Sequence, residues 1–193
     1  MGLRERNKRA AKRLVQETAL RLFNKNGFES VTVQDIAIAA DVSESTVYRH
    51  FGTKEGVVLW DEHEADLDRD LGARFKDQPP LEAIRDAFIE NLGRRYDKDG
   101  GYQLRRIQFI YKTEAIHAAA IEADFANRAE LTKALGRILK KPHRRAAALL
   151  AAASLVALDV AIERWQDEGG KHQLAATIED TFEDLRTIDQ LRS

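Results

Sequence analysis

Thr32-Val33-Gln34-Asp35-Ile36-Ala37, then Val42-Ser43-Glu44-Ser45-Thr46-Val47-Tyr48-Arg49-His50-Phe51, then Thr53-Lys54-Glu55: this stretch decides the fold. It carries three hydroxyl side chains, Thr32, Ser43 and Thr53, each placed to cap a helix start. Helices that begin so close together are short and cross at steep angles. The first, Val33 to Ala40, turns Ile36, Ala37 and Ala40 inward. Asp41-Val42 then breaks the chain, and aspartate tolerates the left-handed backbone a tight turn there requires. The next helix runs from Glu44 to Phe51 and ends at Gly52. Two short helices joined by a tight turn set the outer face of the second where it can lie in a DNA major groove. Val47 and Phe51 share the inward side of that second helix. The opposite arc holds Ser45, Thr46, Tyr48, Arg49 and His50, hydrogen-bonding residues of the lengths that reach base edges or phosphates. Lys54 opens a further helix, where a positive charge is unfavourable unless an anion such as phosphate sits beside it.

Working outward, Ala11, Leu14, Val15, Ala19, Leu22 and Phe23 fall on one face of a helix from Lys8 to Asn26, which Gly27 stops. A fourth helix is expected from Lys54 to about Phe75, becoming acidic after Trp60. The stripe Leu81, Ile84, Phe88, Leu92, Tyr96 marks a fifth, closed by Gly100-Gly101, and Leu104, Ile107, Ile110 and Tyr111 mark a sixth. A seventh spans about Ala115 to Leu139; an eighth takes Pro142 in its first turn and runs to about Asp167; a ninth covers Gln173 to Ile188. Strand alternation is nowhere convincing, so the fold class is all-α, with about nine helices. The expected division is an N-terminal helix-turn-helix head over residues 1–53 and a larger C-terminal domain over 54–193.

Composition narrows the function. The net charge is −1, yet residues 1–56 hold ten Lys/Arg against seven Asp/Glu, leaving 21 against 25 in the remainder. A basic end on an acidic body is the footprint of a nucleic-acid binder. Arg4, Arg6 and Arg9 form a basic arm suited to phosphates or an adjacent minor groove. With no cysteine there is no disulfide framework and no thiolate metal site, which fits a reducing cytoplasm, and no signal peptide is evident. The most apolar stretch, Ala146 to Ile162, is mostly alanine, contains Ser154 and Asp159, and reads as a packed helix rather than a membrane anchor.

The T-x-x-x-I-A, V-S-x-x-T-V-Y-x-H-F and K-E terms, in this order and spacing, strongly resemble the head of the TetR family of bacterial transcriptional regulators. The resemblance covers roughly residues 8–60. It implies that Thr32, Tyr48 and Lys54 contact phosphates, that Ser43 caps or touches the backbone, and that Ser45, Thr46 and Arg49 face bases. Asp41 departs from it, standing where glycine is frequent, as does Gly52, where proline or serine is common. It further implies a homodimer that binds double-stranded operator DNA, most simply a repressor released by a small apolar or amphipathic effector.

Ten of the fourteen aromatic residues follow residue 59. By resemblance to the family, helices of this half enclose a ligand cavity, for which Trp60, His63, Leu67, Phe88, Leu92, Phe109 and Trp165 are the candidate lining, with Gln108 and His117 as further polar groups. Leu104-Arg105-Arg106-Ile107 with Glu163-Arg164-Trp165 is similar to a subgroup of actinobacterial regulators, some of which sense acyl thioesters. The eighth helix is apolar on nearly all sides and has to be covered on all of them. With the ninth it is expected to form the dimer interface through Leu155, Leu174, Ile178, Phe182 and Leu185.

An enzyme is not expected. Asp61-Glu62-His63-Glu64 resembles a metal or acid-base cluster, but neighbouring helical positions diverge by about 100° and no second histidine lies at i+4. His117, His143 and His172 are scattered on different helices without a nucleophile motif or phosphate loop, so neither metal nor cofactor is anticipated. An activator or nucleoid-type DNA binder, and a helical interaction protein, are the competing classes.

Overall fold

In a computed structural model the described residues, 2–139 and 143–187, are helices and their connections, with no strand among them. The chain divides into two compact units, Met1–Glu62 with Gln108–Ile121, and His63–Ile107 with Glu122–Ser193.

The first unit, the head, is built on α1 (Leu3–Asn26), α2 (Val33–Ala39), α3 (Glu44–Phe51) and α4 (Lys54–Leu59). α1 starts earlier than its apolar stripe suggests, so Arg4 and Arg6 are exposed and Arg9 half-buried on a helix rather than on an extended arm. Its buried side, Val15, Ala19, Leu20 and Phe23, meets Ile36 and Ala37 of α2, Val47 of α3 and Val57 and Val58 of α4 in one core. Thr32 caps α2 reciprocally with Asp35, Ser43 caps α3, and Thr53 caps α4. Caps of this kind each contribute ~1 kcal/mol, which short helices need.

The single fourth helix expected from the sequence is broken after Leu59, and the next helix, α5 (Glu64–Arg74), starts only after a turn. The cause lies in α1. The Gln16 side chain, 2% exposed, donates through Nε2 to the carbonyls of Val57 at 2.8 Å, Val58 at 3.2 Å and Trp60 at 2.8 Å. The two hydrogens of that amide are shared among the three carbonyls in place of amides from a continuing helix, and Trp60 turns to extended backbone at ψ 125°.

In the second unit α6 (Pro80–Phe88), a π-helical turn (Ile89–Gly93) and α7 (Arg94–Lys98) follow one another directly. α8 (Gly100–Lys112) ends at Thr113, where α9 (Glu114–Ile138) begins. α10 (Ala146–Asp167) starts after the sequence expectation; Pro142, assigned to its first turn, and Ile188 lie outside the described residues. α10 packs along α11 (Leu174–Thr187), with Ala147, Ala151, Ala157, Leu158, Ala161 and Trp165 buried opposite Leu174, Ile178 and Phe182. Among the described residues α10 alone is long and apolar enough to cross a membrane by length and composition. The alanines on its buried side let the neighbouring helices come close.

Two contacts fix α11 against the π-helical turn and α7. The Asp97 carboxylate accepts the backbone N–H of Leu174 at 2.6 Å and of Ala175 at 3.2 Å, capping α11 from a distant segment. Gly93 supplies the close approach, because a Cβ there would lie 2.6 Å from the Cα of Ala175.

Candidate nucleic-acid interface

The turn between α2 and α3 rests on Asp41, which takes φ 53° as the left-handed reading requires, and on the Val42 amide bonding back to the Ala37 carbonyl at 3.0 Å. From that turn α3 leaves with Val47 1% exposed beneath it and its outer arc free. Ser45, Tyr48 and Arg49 are exposed, Tyr48 by 49%, while Thr46 and His50 are half-buried. Three of the five side chains of that arc are thus open to solvent and two are partly covered.

Those side chains are tied to one another. The Ser43 hydroxyl lies 2.9 Å from that of Ser45 and 2.8 Å from that of Thr46, and Arg49 donates to the Thr46 hydroxyl at 3.3 Å. That bond uses Nη2, one tip of the guanidinium, and the remaining N–H groups of the fork are left for a carboxylate, phosphate or base edge. Thr32 lies exposed at the start of α2, its hydroxyl donating to Asp35 Oδ2 at 2.6 Å. The hydrogen bonds from the Thr32 side chain and then its backbone hold the Asp35 carboxyl below the usual carboxylate range.

The positive potential is drawn from two helices. Burial, followed by the charges of Arg49, Lys12 and Lys8, lowers the pKa of His50 below its usual value. Lys12 of α1 therefore contributes to the field at the reading face, although its ammonium is also 4.5 Å from the Trp60 ring centroid and 5.1 Å from that of Phe51. The basic arm expected from Arg4, Arg6 and Arg9 leaves out Lys8 and Lys12, although both belong to the basic excess of residues 1–25. Their i, i+4 spacing on the side of α1 nearest α3 was the available signal. Lys54 is half-buried, donates to the Phe28 carbonyl at 2.8 Å, and sits 4.1 Å from the Phe28 ring centroid.

The residues assigned to an effector cavity are divided between the units. Trp60 and Phe109 belong to the head, the first edge-on to Phe51 at 6.0 Å and the second stacked on Phe23 at 5.9 Å. His63, Leu67, Phe88, Leu92 and Trp165 belong to the second unit. There Phe88 meets Phe182 edge-on, Trp165 packs on Tyr96, and His63 Nδ1 is 2.8 Å from an Arg95 guanidinium nitrogen. Of the assigned dimer residues, Leu174, Ile178 and Phe182 are at most 2% exposed, covered by their own chain, and Leu155 and Leu185 are half-buried. The large apolar residues left uncovered on α10 are Leu149, Val156 and Val160, exposed by 72%, 59% and 47%. Among the described residues no group of three or more His, Asp or Glu side chains is arranged to hold a metal.

Residues 16–59 match the family model described as bacterial regulatory proteins, tetR family, and residues 78–189 match that described as MftR C-terminal domain. The HTH-type transcriptional regulator TcmR of Streptomyces glaucescens is 33% identical over 124 residues, 61% of this chain and 55% of that protein. An uncharacterized HTH-type transcriptional regulator, YvkB of Bacillus subtilis (strain 168), is 33% identical over 101 residues, 49% of each. The chain thus spans about half the length of these curated relatives. Its fold is similar to that of Thermus thermophilus FadR, a TetR family repressor solved with lauroyl-CoA, at TM-score 0.55 and 21% identity over 94% of this chain and 96% of that one. It is also similar to NalD, the secondary repressor of the MexAB-OprM multidrug efflux pump in Pseudomonas aeruginosa, at TM-score 0.57 and 18% identity over the same shares. At those identities the two structures speak for the fold alone. The helix-turn-helix geometry, with both halves of the chain matched in order, makes this chain a member of the TetR family of bacterial transcriptional regulators.

Proposed function

We propose that the chain is a cytoplasmic repressor that binds a palindromic operator as a homodimer through residues 1–53, and that residues 54–193 carry the dimer and effector functions. The observation that carries the DNA-binding part is the outer arc of α3, where Ser45, Thr46, Tyr48 and Arg49 lie together beside the charges of Lys8 and Lys12. Arg49 pairs with a guanine edge, Ser45 and Thr46 meet neighbouring bases, and Thr32, Tyr48 and Lys54 hold phosphates.

The dimer is supported by the uncovered seam of α10. Leu149, Ala153, Val156 and Val160 follow at alternating spacings of four and three and so share one face. A single apolar seam meeting its own copy about a two-fold axis is a self-complementary interface. The effector is a small apolar or amphipathic molecule, a reading supported by the aromatic content of the second half and by the lauroyl-CoA bound to the structurally similar repressor. Release requires that the effector bind the DNA-incompetent arrangement more tightly than the competent one. A footprint on the DNA flanking its gene tests the whole reading. A short palindromic protected site, relieved by a lipophilic metabolite, is the expected result, and protection without a two-fold pattern contradicts it.

A further inference from the structure

We propose that Phe109 is a positioning residue for the Lys54 ammonium, acting through the rings of Phe23 and Phe28; the proposal rests on the DNA-binding reading above. A lysine on a four-carbon stem is a mobile point charge unless something holds its end. Here two contacts hold it, and both belong to one residue: the Phe28 carbonyl accepts from Nζ at 2.8 Å, and the Phe28 ring centroid lies 4.1 Å from Nζ. The carbonyl takes one of three ammonium hydrogens and leaves the others for an outward anion.

Phe28 stands outside any helix, just after Gly27, whose φ of 85° ends α1. Its place is set by where its ring packs and by a turn bond that its carbonyl also accepts from the Val31 amide at 3.4 Å. That ring is 7% exposed and lies 4.9 Å from Phe23, tilted by 59°. Phe23, itself 2% exposed, stacks on Phe109 at 5.9 Å with the planes only 5° apart. Phe109 comes from α8, and it belongs to the same compact unit as the other three residues. Removing its ring frees Phe23 to tilt, Phe28 follows, and the carbonyl that holds Lys54 moves with it.

The test uses the full chain and a labelled duplex of about 24 bp of random sequence, with affinity followed from about 50 to about 200 mM salt, because the slope counts the phosphates neutralised. Lys54→Ala should flatten the slope by about 1 per bound head, so that its affinity deficit is larger at the low-salt end by roughly 3- to 4-fold for each bound head. Phe109→Ala should reproduce most of that flattening, Phe109→Tyr should keep the wild-type slope, and Phe109→Ala should add nothing in the Lys54→Ala background. A merely structural defect lowers the active fraction at every salt alike and leaves the slope unmoved. A wild-type slope in Phe109→Ala while Lys54→Ala flattens, or an undiminished effect in the double variant, overturns the positioning role and leaves the DNA-binding reading standing. Wild-type binding without salt dependence overturns both.

Discussion

Gly56 and Phe51 stand so close that a side chain at position 56 would overlap the Phe51 carbonyl oxygen, with the Thr53 hydroxyl also only 3.3 Å away. That approach lets α4 begin directly beneath the end of α3. Both clashing groups are fixed, one as helix backbone and the other as the cap of α4. Gly56→Ala should therefore destabilise the head by ~1–3 kcal/mol and weaken duplex binding with it, although position 56 faces no DNA. Urea unfolding followed by circular dichroism checks this, and an unchanged midpoint would contradict the close fit.

His50 is expected to make duplex binding depend on pH. Burial and the charges of Arg49, Lys12 and Lys8 lower its pKa below 6.5, so below that pH the folded chain takes up fewer protons than the unfolded one. Its stabilising contribution is complete above pH 6.5 and is lost as the pH falls through the lowered value. A DNA phosphate beside the ring acts in the opposite sense and favours the imidazolium. Duplex affinity should therefore rise as the pH falls from about 7.5 to about 5.5, and His50→Gln should remove that part of the rise. Fluorescence titration at a series of pH values checks it; identical profiles for the two proteins would show that His50 meets no phosphate.

Asp97 is worth more than an ordinary helix cap because it ties α11 to α7. Asp97→Ala leaves two amide groups at the start of α11 without their carboxylate and should cost ~1–2 kcal/mol. Asp97→Asn keeps one acceptor oxygen and should recover part of that loss. Equal stability of all three proteins in chemical denaturation would show that the cap contributes nothing.

The seam of α10 separates association from folding. Val156 is 59% exposed, so Val156→Asp leaves the packing of α10 on α11 intact while placing a charge where a second copy is expected to sit. The expected outcome is a monomer by light scattering, with circular dichroism and melting close to wild type apart from the loss of dimer linkage. A wild-type chain already monomeric at micromolar concentration, or a variant that stays dimeric, removes the seam from the interface. Ile178 and Phe182, by contrast, are core residues here, and charging them is expected to unfold the second unit.

The head was legible in the sequence because its signals are local. Thr32, Ser43 and Thr53 act on amides three residues ahead, and Val47 opposite Arg49 follows from helical period alone. The break at Trp60 was not legible, since it depends on Gln16 reaching the far end of α4, a contact between residues 41 to 44 positions apart. For the same reason Leu174, Ile178 and Phe182 read from periodicity as an apolar stripe, but periodicity cannot say whether α10 or a second copy covers it. Lys54 stands out in the sequence by its charge at a helix start; its partner Phe28 lies between helices 26 positions away, and the rings packed behind Phe28 come from α1 and α8, so no local pattern shows them.

The most direct measurement is selection of bound duplexes from a random-sequence pool by the wild-type chain and by Arg49→Ala. The wild type should enrich a two-fold symmetric motif whose half-site centres lie about 10 bp, or a multiple of that, apart. Arg49→Ala should keep the symmetry and lose discrimination at one position per half-site, a change of ~1–3 kcal/mol, whereas Tyr48→Ala should weaken all sequences alike. Enrichment of no motif by the wild type, or of the same motif with the same strength by Arg49→Ala, would contradict the assignment of α3 as the element that reads DNA.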